Sequence, residues 1–243
     1  MKTPIFIDAK NTLFVAHRGL SALECENTLP AFIAAANRPY YGIETDVHVT
    51  ADGKFVCIHN DDTEAVAADK LTVEKSSFDA LRSLKLKDKD GTRGRIDLRI
   101  PTMGEYIKLC REYGKTAVLE LKNRMPSEKI AEILSELAAL GYLSGTTFIS
   151  FNLENLLDIK RAIPSQSAQY LVSKYTPELL SVLTKNRLDL DIHHSALTKE
   201  IIDTLHENGV KINTWTVDSP DIARELIAWG VDQITSNVLC PLC

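Results

Sequence analysis

The sequence predicts an α/β fold, a closed (β/α)8 TIM barrel, on three observations. Strand-like and helix-like segments take turns along most of the chain, the pattern of a parallel sheet covered by helices. Eight strand candidates remain once one short side strand is set apart, the number that closes such a barrel. No glycine-rich dinucleotide or phosphate loop stands where an open doubly wound sheet, the structural alternative, most often needs one.

The first strand is "FVAH" (14–17). The second, "IETDVHV" (43–49), alternates, so Glu44, Asp46 and His48 project to one side and Ile43, Thr45, Val47 and Val49 to the other. The side strand "KFVCIH" (54–59) then leads into a region, about 50–100, where the rhythm breaks. Gly91, Gly94 and the charge-dense run "LKLKDKDGTRGRIDLRIP" mark loops and a small insertion after the second strand, with a solvated surface and no catalytic role. Alternation resumes with strands "TAVLELK" (116–122), "TTFIS" (146–150), "AQYLV" (168–172), "LDLDIH" (188–193), "KINTWTV" (211–217) and "QITS" (233–236). Between them lie the amphipathic segments "SEKIAEILSELAALG", "NLENLLDIKRAI", "TPELLSVLTKN", "TKEIIDTLHENG" and "SPDIARELIAWG". Several open on a capping residue and stop at Gly or Asn, as Ser127 to Gly141 and Ser219 to Gly230 do. Residues 1–243 therefore read as a single domain, without solenoid repeats or a low-complexity linker.

Bulk properties narrow the function. A net charge of -5 disfavours a nucleic-acid binder or a binder of acidic membranes, since both rely on basic surface. No apolar stretch approaches the roughly 20 residues that cross a bilayer, and "MKTPIFIDAKNTLF" lacks the apolar run of a signal peptide. The five cysteines are odd in number and scattered. Cys57 and Cys110 sit in apolar patterns as small core residues, and the "CPLC" tail (Cys240, Cys243) has redox spacing but opens no helix, so it reads as a bland tail. These features predict a cytoplasmic protein.

In a barrel, residues at the carboxyl ends of strands share one mouth. His17 ends the first strand, Arg18 and Gly19 follow it, Glu44 and Asp46 lie on the second, His59 ends the side strand, and Glu120 and Lys122 share a face of the third. Singly, each has a dull explanation as a structural histidine or a solvated face. Together, three carboxylates in an apolar mouth repel one another unless a cation sits among them. Oxygen-only ligands suit one Mg²⁺ or Ca²⁺ rather than zinc, and two nearby histidines form an acid–base pair near neutral pH. A dication with three carboxylates carries a formal 2 − 3 = −1, and Arg18 and Lys122 bring it to roughly +1. That charge suits a singly anionic phosphodiester.

At these residues the chain resembles the glycerophosphodiester phosphodiesterases. The matching pieces are "AHRG" (16–19), "ENTLPAF" (26–32), "GIETDVHVTADGKFVCIH" (42–59), "IPTMGEY" (100–106), "LELK" (119–122), "NTWTVD" (213–218) and "GVDQITSN" (230–237), in the family's order through nearly the whole chain. The resemblance implies hydrolysis of deacylated phospholipids such as glycerophosphocholine or glycerophosphoethanolamine to glycerol 3-phosphate and an alcohol. It also implies Glu44, Asp46 and Glu120 as metal ligands, His17 and His59 as general base and acid, and Arg18 and Lys122 on the phosphate. Trp215 would pack the substrate's carbon skeleton. In the family's course the glycerol 2-hydroxyl attacks phosphorus, and water then opens the cyclic phosphate.

The match has departures. Asn60 stands where the family usually has Asp after the second histidine, the Arg-Thr-Thr stretch that follows is absent, Cys25 replaces a common Pro, and Asn237 replaces a common Asp. Asn60 puts rate or pH optimum in question, whereas Cys25 and Asn237 read as local structural variation. His48, His193, His194 and His206 carry no family role. Two alternatives stay open: a lysophospholipase D-like phosphodiesterase, for which no hydrophobic anchor is visible, and a catalytically impaired binding protein.

Overall fold

A computed structural model describes residues 3–242. Strand β1 (Ile5–Ile7) precedes β2 (Leu13–Ala16), helix α1 (Leu29–Ala36), β3 (Gly42–Val49) and β4 (Phe55–Cys57). After a short helix α2 (Phe78–Arg82) and α3 (Met103–Glu112), alternation becomes regular. It runs β5 (Thr116–Leu121), α4 (Ser127–Ala139), β6 (Thr146–Ser150), α5 (Leu153–Ala162), β7 (Ala168–Val172) and α6 (Pro177–Asn186). Then come β8 (Asp189–His193), α7 (Lys199–Glu207), β9 (Ile212–Trp215), α8 (Pro220–Trp229), β10 (Gln233–Ser236) and β11 (Leu239–Pro241).

Strands β2, β3 and β5 to β10 pair in parallel, and β2 bonds to both β3 and β10, which closes the sheet. This is the expected (β/α)8 barrel. Register positions the site: β3 and β5 pair from Gly42↔Thr116 to Val47↔Leu121, which puts Asp46 directly opposite Glu120. Outward-facing Ile43 and Val47 join the core between barrel and helices, leaving Glu44 and Asp46 to face inward. Inside the barrel, Val15, Val118, Ile149 and Leu171 form a small apolar plug with Trp215 packed on it.

The insertion has its own core of Val56, Ile58, Ala67, Val73, Leu81, Leu86, Leu98 and Ile100. Its charge-dense run is only partly solvated: Lys89 Nζ donates to the Ser21 carbonyl at 2.6 Å, and Arg95 pairs with Glu24 at 2.6 Å. The side strand β4 runs antiparallel to β3 and stops at Cys57, two residues before His59.

Three expectations need correction. Ser127 does not cap α4; Pro126 holds that position, and the Ser127 hydroxyl instead donates to Asp158 on α5 at 2.9 Å. Ser219 does hold the cap position of α8 but makes no side-chain capping bond, while Gly230 ends that helix in the left-handed region at φ 91. The tail is not a loose end, because Leu239–Pro241 pairs in parallel with Ile5–Ile7 and Tyr40 Oη donates to the Leu239 carbonyl at 2.9 Å. Cys243, the second cysteine of that tail, lies outside the described residues. No helix among the described residues is long and apolar enough to cross a membrane.

Candidate active site

The turn after β2 is built from backbone that most residues avoid. Arg18 and Gly19 are consecutive left-handed residues, φ 54 and 75, and a Cβ on Gly19 would sit 2.6 Å from the Ala31 carbonyl carbon. This turn aims the Arg18 backbone N–H at Glu44 Oε2 at 2.8 Å. It also swings the Arg18 side chain to Glu26 Oε1 at 2.9 Å and within 3.5 Å of Asp46 Oδ2. The "HRG" and "ENT" pieces thus meet over the β3 carboxylates.

Glu44, Asp46 and Glu120 each offer an oxygen within 4.8 Å of the others, and all three are buried. Asp46 Oδ2 accepts from Asn27 Nδ2 at 2.8 Å, and Thr45 fixes that amide by donating to Asn27 Oδ1 at 2.7 Å. Lys122 Nζ lies 2.7 Å from Glu120 Oε1 and 3.3 Å from Asp46 Oδ1. Even so, Glu44 Oε1 and Asp46 Oδ1 have no hydrogen bond. Burial, then the Asp46 charge, pushes Glu120 up to about 7, and the same causes push Glu44 well above the usual carboxylate range. Asp46 goes the other way, to about 2; burial opposes ionisation there, but Lys122 and Arg18 together outweigh it. Buried carboxylate oxygens without hydrogen bonds, gathered in one tight cluster, fit a Mg²⁺- or Ca²⁺-type cation.

His17 Nδ1 lies 2.8 Å from Asn237 Oδ1. The amide's orientation is set, since Asn237 Nδ2 donates to Asp218 Oδ2 at 2.8 Å and Ser21 Oγ donates to Asn237 Oδ1 at 2.7 Å. His17 therefore carries its proton on Nδ1 and leaves the Nε2 lone pair free, 3.9 Å from Glu44 Oε2. Burial and the neighbouring Arg18 charge lower its pKa to about 4. His59 also meets an amide, with Nδ1 2.7 Å from Asn60 Oδ1, and burial lowers its pKa as well. Asn237 is thus not mere local variation; it touches one of the two candidate histidines.

His17, Arg18, Glu44, His59, Glu120 and Trp215 line one cavity of about 90 Å³, and Asp46 and Lys122 join it through their contacts with Glu120 and Arg18. A larger groove of about 850 Å³ is lined by Asn237 but by none of the residues predicted for the chemistry. The cavity's apolar wall is Trp215, held edge-on by Phe151 at 5.6 Å and by His193 at 5.2 Å. His48 and His193, which carry no family role, both lie on strands and both support the site. His48 is fully buried, with Nδ1 3.1 Å from Glu74 Oε1 and Nε2 3.3 Å from the carbonyl of His59, whose loop it holds. Asp191, Asn237, Asp218 and Asn27 went unassigned in the sequence. Asn27, Asp218 and Asn237 lie inside quoted motifs, but Asp191 had only its place on an inward strand position as a signal.

The family model described as "Glycerophosphoryl diester phosphodiesterase family" matches residues 17–239. A glycerophosphodiester phosphodiesterase of Caldanaerobacter subterraneus is 28% identical over 232 residues, covering 93% of this chain and 94% of the relative. Another from Bacillus altitudinis is 25% identical over 239 residues, covering 93% and 94%. Among solved structures, an Oleispira antarctica phosphodiesterase in complex with the product sn-glycerol-3-phosphate superposes with a TM-score of 0.85 at 25% identity, covering 96% of both chains.

Proposed function

Because the chain belongs to the glycerophosphoryl diester phosphodiesterase family, we propose that it hydrolyses small, soluble glycerophosphodiesters to glycerol 3-phosphate and an alcohol. The observation that carries this reading is the meeting, in one cavity, of two histidines and an acid cluster with orphaned oxygens.

In this reading Glu44, Asp46 and Glu120 would hold one Mg²⁺ or Ca²⁺, which when bound polarises a phosphoryl oxygen. Arg18 and Lys122 hold the phosphate's remaining charge, and Trp215 packs the glycerol carbons. His17 Nε2 takes the proton of the glycerol 2-hydroxyl as that oxygen bonds to phosphorus. His59 gives a proton to the departing alkoxide as the ester bond breaks. Water then opens the cyclic phosphate with the two imidazoles in exchanged roles, as microscopic reversibility requires. Nucleophile and phosphorus already share a molecule, so the first step gains from proximity. A cytoplasmic location belongs to the same reading, supported by the buried free thiols of Cys57 and Cys110.

The test is an assay of glycerophosphocholine and glycerophosphoethanolamine, with lysophosphatidylcholine alongside, in chelator and with Mg²⁺ or Ca²⁺ restored. Metal-dependent release of glycerol 3-phosphate is expected. Cleavage of the lysolipid alone would favour the lysophospholipase D reading, and metal-dependent binding without cleavage would favour an impaired binder.

A further inference from the structure

Asp191 is a further buried acid lining the cavity, beside Glu44 and Glu120, and the acid cluster does not include it. It is 1% exposed, and its Oδ1 has no hydrogen-bond partner. Asn213, on the neighbouring strand β9, stands opposite Asp191 in register. Asn213 is itself held by Thr235 Oγ1 at 3.1 Å and by Gln169 Oε1 at 3.4 Å. Two residues further along β9, Trp215 lines the same cavity, and its Nε1 is also buried without a partner. Phe151 and His193 hold the indole edge-on from two sides.

Buried polar groups are nearly always paired, and leaving one unpaired costs stability. A carboxyl oxygen and an indole N–H, both orphaned on adjacent strands beside one cavity, mark where a ligand's polar group goes. A phosphate oxygen would repel the carboxylate, and a cation would meet the N–H. A hydroxyl suits both, since it donates and accepts at once.

Resting on the function proposed above, we propose that Asp191 and the Trp215 N–H grip the terminal hydroxyl of the glycerol moiety, the one that takes no part in bond making. They would thereby select glyceryl esters over diol esters. A site built to bond a hydroxyl rejects analogues lacking it far more strongly than an apolar pocket does.

The experiment compares kcat/KM for glyceryl p-nitrophenyl phosphate with that for 2-hydroxypropyl p-nitrophenyl phosphate, which keeps the attacking hydroxyl and lacks only the terminal one. The unsubstituted chain should prefer the glyceryl ester by about 10²-fold or more. Asp191→Leu should cut that preference at least tenfold, mainly through KM for the glyceryl ester. Asp191→Asn, which keeps polar atoms in place, should retain most of it, and Trp215→Phe should reduce it. Both substrates are measured on one preparation, so poorly folded material cancels from the ratio. A preference within twofold of the original in both Asp191→Leu and Trp215→Phe overturns the proposal. So does a change confined to the leaving group, choline against p-nitrophenol. If the unsubstituted chain cleaves neither ester, nor glycerophosphocholine, the functional reading fails and this inference with it.

Discussion

Both candidate histidines give Nδ1 to an amide oxygen, Asn237 for one and Asn60 for the other. An amide fixes the tautomer as a carboxylate does but adds no charge to stabilise the imidazolium. Replacing His17 or His59 by Ala should lower turnover by about 10²- to 10⁴-fold while the chain still folds; full activity in the double substitution would falsify their assignment. The supporting amides give a subtler test. A carboxylate beside a histidine favours its protonated form, so Asn237→Asp should raise the His17 pKa from about 4. A general base works only when neutral, so the acid limb of the kcat/KM profile, measured at saturating metal, should move to higher pH. Asn60→Asp should raise the pKa of His59, which burial lowers, and move the alkaline limb upward because an acid must be protonated. Profiles that do not shift would mean the two imidazoles do not act as acid and base. The histidines, carboxylates and basic residues were legible because each stands at or near a strand's carboxyl end or on its inward face, inside a motif. Asn237 was not, because nothing in a one-dimensional pattern ties residue 237 to residue 17 across barrel closure.

The barrel strands were legible for a related reason, since period-two runs and short apolar stretches survive any context. Boundaries and short helices were less so. Helix α1 and helix α3 fell outside the expected set, although Thr102 and Glu105 form a capping box that the sequence spells as "TMGE". That box also does work between elements. The Glu105 carboxylate accepts the Arg82 guanidinium at 2.8 and 2.7 Å, which docks the insertion's helix α2 onto α3. Thr102→Ala should therefore cost about 1 kcal/mol, the usual loss for a cap. Glu105→Ala removes the charged pair as well and should cost about 2 kcal/mol. It should also speed amide exchange in the insertion, residues 58–100, which Thr102→Ala should leave alone. Equal costs in denaturant titrations would mean that the Arg82 pair holds nothing.

Inward carboxylates, Asp191 as well as the three of the cluster, make the closed barrel less stable than an apolar one would be, and the deficit has a definite pH signature. Glu120 is held near 7, above its ordinary 4.5, mainly by burial. A carboxyl raised on folding contributes stability that is complete below its unfolded value and lost as pH climbs through its folded value. In chelator, then, the chain should lose stability between about pH 4.5 and 7 on account of Glu120, with Glu44 acting in the same direction. Asp46, held down to about 2, gives a contribution of opposite sign that is lost only on acidification below its ordinary 3.8. Glu120→Gln removes the ionisation and so should melt higher than the unsubstituted chain in chelator at pH 8, with the difference shrinking toward pH 5. Added Mg²⁺ or Ca²⁺ reverses the order. At a hundredfold excess over Kd a dication adds about 2.7 kcal/mol to the form that binds it, roughly 5–10 °C for a chain of this size. Glu120→Gln should gain little of that. If the unsubstituted chain melts at the same temperature with and without the ion at pH 8, or if the Gln variant is the less stable of the two in chelator, then the three acids are not kept together for a cation.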